Sequence, residues 1–91
     1  GFDCSGFTRY VYLQGTGRDL GGWTVPQDSA GTKISVSQAK AGDLLFWGSP
    51  GGTYHVAIAL GGGQYIHAPQ PGESVKVGSV QWFAPDFAVS M

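Results

Sequence analysis

Cysteine occurs once in this 91-residue sequence, at Cys4, so no intrachain disulfide framework can brace it. Histidine occurs twice, at His55 and His67. Those three side chains are the whole Cys and His supply, too few for a four-ligand zinc site of the usual kind, and no metal is expected. Charge is scarce as well: 12% of residues are Asp, Glu, Lys or Arg, about half of the roughly 25% usual in globular domains. Five basic residues and a net charge of −1 leave no basic footprint for nucleic acid. The longest unbroken apolar run is Val56 to Leu60, far short of the roughly 20 residues of a membrane-spanning helix.

What is present suits a compact domain. Hydrophobic residues make up 42% and aromatics 13%, enough for a core and too much for a disordered chain. A chain of this length buries roughly 60–65% of its unfolded surface, which allows one modest core, so residues 1–91 form a single domain. Sixteen glycines and five prolines favour strands and turns over a helical bundle. The chain opens at Gly1-Phe2-Asp3-Cys4 without Met or a signal peptide. It is therefore expected to be the C-terminal part of a longer protein.

The first element is a helix. Asp3 or Ser5 can cap it, Phe7, Tyr10 and Val11 make one apolar face, and Gly15 and Gly17 end it. A turn-rich loop leads to Trp23, and Pro26 to Lys33 is expected to be a short helix. From Ala41 the period changes to two. Leu44 to Trp47 reads as a buried strand entered through Gly42-Asp43. His55 to Leu60 and Gln64 to Ala68 flank Gly61-Gly62-Gly63, a hairpin signal. Ser74 to Val80 alternates, and Phe83 to Val89 is a weaker last strand interrupted by Pro85. Helix first, then an antiparallel meander, means α+β.

Cys4 sits between Asp3 and Ser5 at the expected helix N-terminus. Unpaired N–H groups and the helix dipole there favour thiolate over thiol. The dipole contributes about 0.3–1 kcal/mol, too little alone to bring a thiol from about 8.5 to well below 7. A neighbouring imidazolium is the obvious further source. A lone cysteine is often a small buried hydrophobe, but Asp3, Ser5 and Gly6 are poor core neighbours.

The hairpin links the two imidazoles. A three-residue loop, Gly61 to Gly63, pairs Leu60 with Gln64, Ala59 with Tyr65 and Ala57 with His67. His55, Ala57, Ala59, Tyr65 and His67 then share one face, and Val56, Ile58, Leu60 and Ile66 take the other. A two-residue turn would put His67 on the opposite face. The small side chains of Ala57 and Ala59 leave room for the helix bearing Cys4 to lie on the histidine face. Nucleophile, base and base-orienting group would then come from the only residues of their kinds.

Asp3-Cys4-Ser5-Gly6-Phe7, Ala41-Gly42-Asp43-Leu44-Leu45-Phe46, His55-Val56-Ala57-Ile58 and Ile66-His67-Ala68-Pro69 stand in an order and spacing that resemble the NlpC family of bacterial cell-wall cysteine peptidases. The resemblance covers essentially the whole chain. It implies a papain-like α+β fold, with a helix carrying the nucleophile packed on an antiparallel sheet. It implies Cys4 as nucleophile, His55 as general base and His67 as the residue that orients the base. Asp3 and Ser5 match polar neighbours lining the substrate pocket. The implied activity is hydrolysis of peptidoglycan stem peptides, often between D-isoglutamate and a diamino acid, by a secreted or wall-associated monomer that needs no cofactor. Family members usually carry a segment before the Asp-Cys-Ser motif that forms a first helix and supplies a tyrosine near the nucleophile. No residue of this sequence corresponds to it.

Trp23, on a Gly-flanked loop, is a further substrate-binding candidate, since an indole stacks on a sugar or peptide plane; a core lid is the alternative. Trp47, Trp82, Phe83 and Phe87 are assigned to the core, and Tyr54 to a structural role. Gln27, Asp28 and Ser29 read as ordinary helix capping. Competing functions are an amidase cutting between sugar and stem peptide, a wall-binding module without turnover, and an acyltransferase of related fold.

Overall fold

In the computed structural model, residues 4–16, 19, 21, 27, 31–49, 51–68 and 75–91 are described, with Cys4, Ser5 and Thr16 by backbone alone. Helix α1 spans Cys4–Thr16. Six strands follow: β1 Thr32–Ile34, β2 Leu44–Trp47, β3 His55–Gly61, β4 Gln64–His67, β5 Lys76–Ser79 and β6 Phe87–Ser90. They form one sheet in the order β1-β6-β2-β3-β4-β5, with every pairing antiparallel. The α+β class expected from the sequence is therefore the one observed.

Strand alternation divides the core into two layers. Leu44, Phe46, Val56, Ile58, Phe87 and Val89 point to one face, where they form a cluster with Phe7 and Ala68. Val11 and Tyr12 pack against this cluster, so α1 covers it. Leu45, Trp47, Ala57, Ala59, Tyr65 and Ala88 point to the other face. Ile34, Ala39 and Val80 pack against that second cluster.

Several elements differ from the sequence reading. Tyr10 is 50% exposed and leaves the helix face to Phe7, Thr8, Val11 and Tyr12. The packing stripe winds about 100° per residue, and Tyr10 falls on its solvent side. Gln27 is helical, but Thr32 and Lys33, the end of the expected second helix, lie in β1; Pro26 and residues 28–30 lie outside the described residues. Strands β2 to β5 are a meander, but β6 is not its continuation. It inserts between β1 and β2, pairing Thr32 with Ser90 and Phe46 with Phe87. The connection from β5 to β6 crosses the second face of the sheet. Residues 83–86 belong to that crossing and not to the last strand, which starts at Phe87. Asp86 ends the crossing: its N–H donates to Phe46 O at 2.8 Å, and its carboxylate accepts from Gly48 N at 2.6 Å.

The Ala41-Gly42-Asp43 turn is fastened at the entry of β2. Buried Asp43 accepts from the N–H of Lys40 at 3.0 Å and of Met91 at 3.1 Å. It thereby ties the turn to the end of β6, a structural role for the acidic residue of that motif.

Candidate active site

The hairpin between β3 and β4 decides whether the two imidazoles can meet. Ile58 pairs with Ile66 and Ala59 with Tyr65, as the spacing predicts, but Gln64 pairs with Gly61 and not with Leu60. The turn proper is thus Gly62-Gly63, where positive φ values of 65° and 79° suit a tight hairpin. Leu60 bulges out between Ala59 and Gly61 and is largely exposed. A two-residue turn alone would have moved every later side chain to the opposite face. The bulge adds one residue to one strand only and restores the parity.

As a result both rings lie on the second face and are buried. His55 Nε2 and His67 Nδ1 are 2.8 Å apart, a direct ring-to-ring hydrogen bond. One nitrogen must donate and the other accept, so the pair fixes complementary tautomers.

Aromatic rings enclose the pair. The Trp47 ring lies 4.7 Å from His55, centroid to centroid, and Tyr65 meets His67 edge-on at 4.9 Å. Trp47 and Tyr65 contact each other at 5.3 Å. Phe83 stacks on Trp47 at 4.8 Å and stands 5.9 Å from His55. Removal from water disfavours the charged imidazole. Burial, reinforced by the positive charge that His67 can carry, pushes His55 down to about 4. Burial also lowers His67, helped by Lys76, its partner across the β4–β5 ladder.

The remaining site candidates fare differently. Cys4 is the first residue of α1, where the sequence reading put it. Its side chain, that of Ser5, and all of Asp3 and Trp23 lie outside the described residues. The helix does not lie on the histidine face as expected. It packs on the opposite one, against β3 and β4, because the bulky apolar residues there match its stripe. Phe7, one turn into α1, shares its cluster with Val56 and Ala68, the residues that follow His55 and His67. Ala57 and Ala59 instead make room for the connecting segments on the second face.

Trp47 is core, as expected, but it is also a wall of the imidazole pair. Its indole N–H has no acceptor among the described residues. Trp82 is not core: it is 86% exposed. Tyr54, assigned to a structural role, is 67% exposed. Phe83 at the site was missed by sequence reasoning. The signal was there in Pro85-Asp86, a turn dipeptide that ends the strand reading two residues after Phe83. Among the described residues no group of three or more His, Cys, Asp or Glu is placed to hold a metal. No helix described is long and apolar enough to cross a membrane. A cavity of about 520 Å³ opens at the hairpin end of the same face, lined by Val36, Ala39, Ala59, Gly62, Gln64 and Val80, apart from the histidines.

A helix-led antiparallel sheet is the papain-like α+β arrangement, and comparison with known proteins gives it a family. The NlpC/P60 family matches residues 1–86, and the chain belongs to that family. It is 91% identical over 91 residues to Protein P54 of Enterococcus faecium, covering 100% of this chain and 18% of that protein. It is 44% identical over 81 residues to the peptidoglycan endopeptidase RipA of Mycolicibacterium smegmatis, covering 89% of this chain and 16% of that protein. The chain thus spans under a fifth of the length of these relatives. Among solved structures, the NlpC/p60 domain of the peptidoglycan hydrolase SagA superposes with a TM-score of 0.96 at 97% identity, covering 100% of this chain and 78% of that one.

Proposed function

We propose that the chain is the catalytic domain of a secreted or wall-associated peptidoglycan endopeptidase. It would cut stem peptides, between D-isoglutamate and a diamino acid, with Cys4 as nucleophile, His55 as base and His67 as the orienting residue. The observation that carries the reading is the bond between His55 Nε2 and His67 Nδ1, on a chain whose only cysteine opens a helix. That bond occupies one nitrogen of His55 and leaves Nδ1 for the thiol. For Nδ1 to accept the Cys4 proton, His55 must carry its own proton on Nε2, with His67 Nδ1 accepting. A lone imidazole could take either tautomer; paired with an acceptor, it holds the productive one.

The chemistry then runs in two halves. Cys4 Sγ loses its proton to His55 Nδ1 and attacks the scissile carbonyl carbon. The oxyanion draws on backbone N–H groups at the head of α1. Collapse of the tetrahedral adduct breaks the C–N bond, and His55 Nδ1–H protonates the leaving amine. The thioester carries the acyl half. His55 next takes a proton from water, hydroxide adds to the thioester, and the acid leaves as Cys4 is regenerated. His67 stays a hydrogen-bond acceptor throughout, so His55 can be charged without turning. Asp3, Ser5 and Trp23 are assigned to substrate binding, and no cofactor enters. The relatives named as a peptidoglycan endopeptidase and a peptidoglycan hydrolase support the substrate class.

The test is digestion of defined muropeptides by the full-length protein and its Cys4→Ala variant, with products read by mass spectrometry. Fragments cut after D-isoglutamate, absent with Cys4→Ala, are expected. Free disaccharide would replace the endopeptidase by an amidase. Full turnover by Cys4→Ala would remove the nucleophile assignment.

A further inference from the structure

The pairing of His55 with His67 explains the tautomer but not what holds the His55 ring in its plane. Strand β3 begins at His55, so on its N-terminal side no further strand residue braces the ring. On one side the ring meets Trp47, its cross-strand partner in β2. The other aromatic near it comes from the β5–β6 crossing. The Phe83 ring lies nearly parallel to Trp47, 21° apart, and tilts 41° to His55. Phe83 is 45% exposed, so a nonpolar side chain stays at the surface where it touches two buried rings.

The crossing is fastened where Phe83 needs it. Phe83 N–H donates to Ser79 O at 3.1 Å. The Tyr65 hydroxyl donates to Phe83 O at 3.0 Å. Tyr65 can lean that far because Gly78, its partner on β5, has no side chain: a Cβ there would stand 2.6 Å from the Tyr65 ring. One strand residue thus touches His67 with its ring and secures Phe83 with its hydroxyl.

We propose that Phe83 is a positioning residue for His55: stacked on Trp47, it extends an aromatic wall along one side of the imidazole, holds it in the plane that meets His67 and keeps water off that side, and the Tyr65–Gly78 pair sets where Phe83 stands. Catalytic relevance rests on His55 acting as the base; the positioning itself does not. Ionisable groups around His55 are few. His67 and Tyr65 come from β4, Lys76 lies beyond His67 on β5, and Asp86 on the crossing is held by Gly48 N–H.

The test compares Phe83→Ala, Phe83→Tyr, Gly78→Ala and Trp82→Ala in the whole chain. The first readout is an NMR titration of the ring nitrogens in a Cys4→Ala background, which removes the thiolate. With Phe83→Ala, water returns to the ring, and His55 titrates higher, moving from about 4 toward its ordinary 6.5. Phe83→Tyr restores the low value. Gly78→Ala, which displaces Tyr65, moves it part of the way, and Trp82→Ala on the same crossing leaves it in place. The second readout is steady-state cleavage with Cys4 intact. Phe83→Ala lowers kcat on the order of 10-fold to 100-fold, the cost of a misplaced catalytic group, while KM changes little. Should Phe83→Ala leave the titration or kcat as in the parent, Phe83 is only a surface aromatic and the proposal is overturned. Should the parent cleave no muropeptide, the endopeptidase reading fails instead, and the titration alone then decides whether Phe83 positions His55.

Discussion

The two faces of one sheet do opposite work here with alternate residues of the same strands. On the α1 face, Val56, Ile58, Leu44, Phe46, Phe87 and Val89 make a hydrocarbon layer in which nothing ionises. On the other face, positions one residue away hold His55, Ala57, Ala59 and Trp47, and the layer is built of small residues, aromatics and imidazoles. The paired imidazoles belong to the second face, and the first cluster is hydrocarbon alone. Because the strand period is two, each face can be altered with little effect on its neighbour, provided the parity is kept.

The severest way to break that division is to change the parity. One alanine inserted between Ile66 and His67 should turn the second imidazole toward the hydrocarbon face. Activity is lost, and stability falls by about 4 kcal/mol or more, the range of a buried polar group without a partner. Chemical denaturation and histidine NMR check both. Deleting Leu60 sharpens the point from the other side. Without the bulge, Gly62-Gly63 closes a regular hairpin in which Ala59 still faces Tyr65, so the histidine contact should survive.

Next come substitutions confined to one face. His55→Ala should abolish cleavage, on the order of 10³-fold or more, and cost about 1–3 kcal/mol of stability, since buried His67 loses its partner. His67→Ala should give a partial loss, larger in kcat than in KM. If the two swapped in severity, base and orienter would have to be exchanged. Phe46→Ala on the hydrocarbon face should do the reverse. It is fully buried and stacks on Phe87 at 5.3 Å, so its removal costs about 3–5 kcal/mol, while the imidazole hydrogen bond persists at temperatures where the fold holds.

Acid should act mainly through the histidine face. With His55 near 4 in the fold and near 6.5 when unfolded, the unfolded chain binds more protons between those values. The neutral pair's contribution is therefore fully present above 6.5 and is lost as pH falls toward 4. In Cys4→Ala the loss should be on the order of 1–3 kcal/mol, and adding His55→Ala should reduce it to the part that His67 contributes. The smallest effect belongs to neither face. Arg9 and Asp19 form an exposed two-bonded ion pair at 2.8 and 2.9 Å, which holds the guanidinium above its ordinary range and the carboxylate below its own. Arg9→Ala should shift the melting temperature least of all these variants, and added salt should remove most of the difference.

Much of this was legible in the residues. The order of one helix and the strands β2 to β5, the two faces of β3, and the meeting of His55 with His67 follow from local pattern, because a side chain's face in a strand depends only on counting by two. The bulge was not legible: three glycines permit both a three-residue loop and a two-residue turn with Leu60 extruded, and both satisfy the same pairing beyond it.

What the sequence determined unaided is therefore the local and periodic part: where α1 and β2 to β5 lie, and which residues alternate to one side. The tertiary structure alone decided the rest. It set which face α1 covers, the insertion of β6 beside β2, and the passage of the β5–β6 crossing over the imidazoles with Phe83 against His55. Those arrangements join residues far apart in the chain, where the outcome depends on which surfaces fit and how much apolar area each fit removes from water, quantities that no local pattern contains.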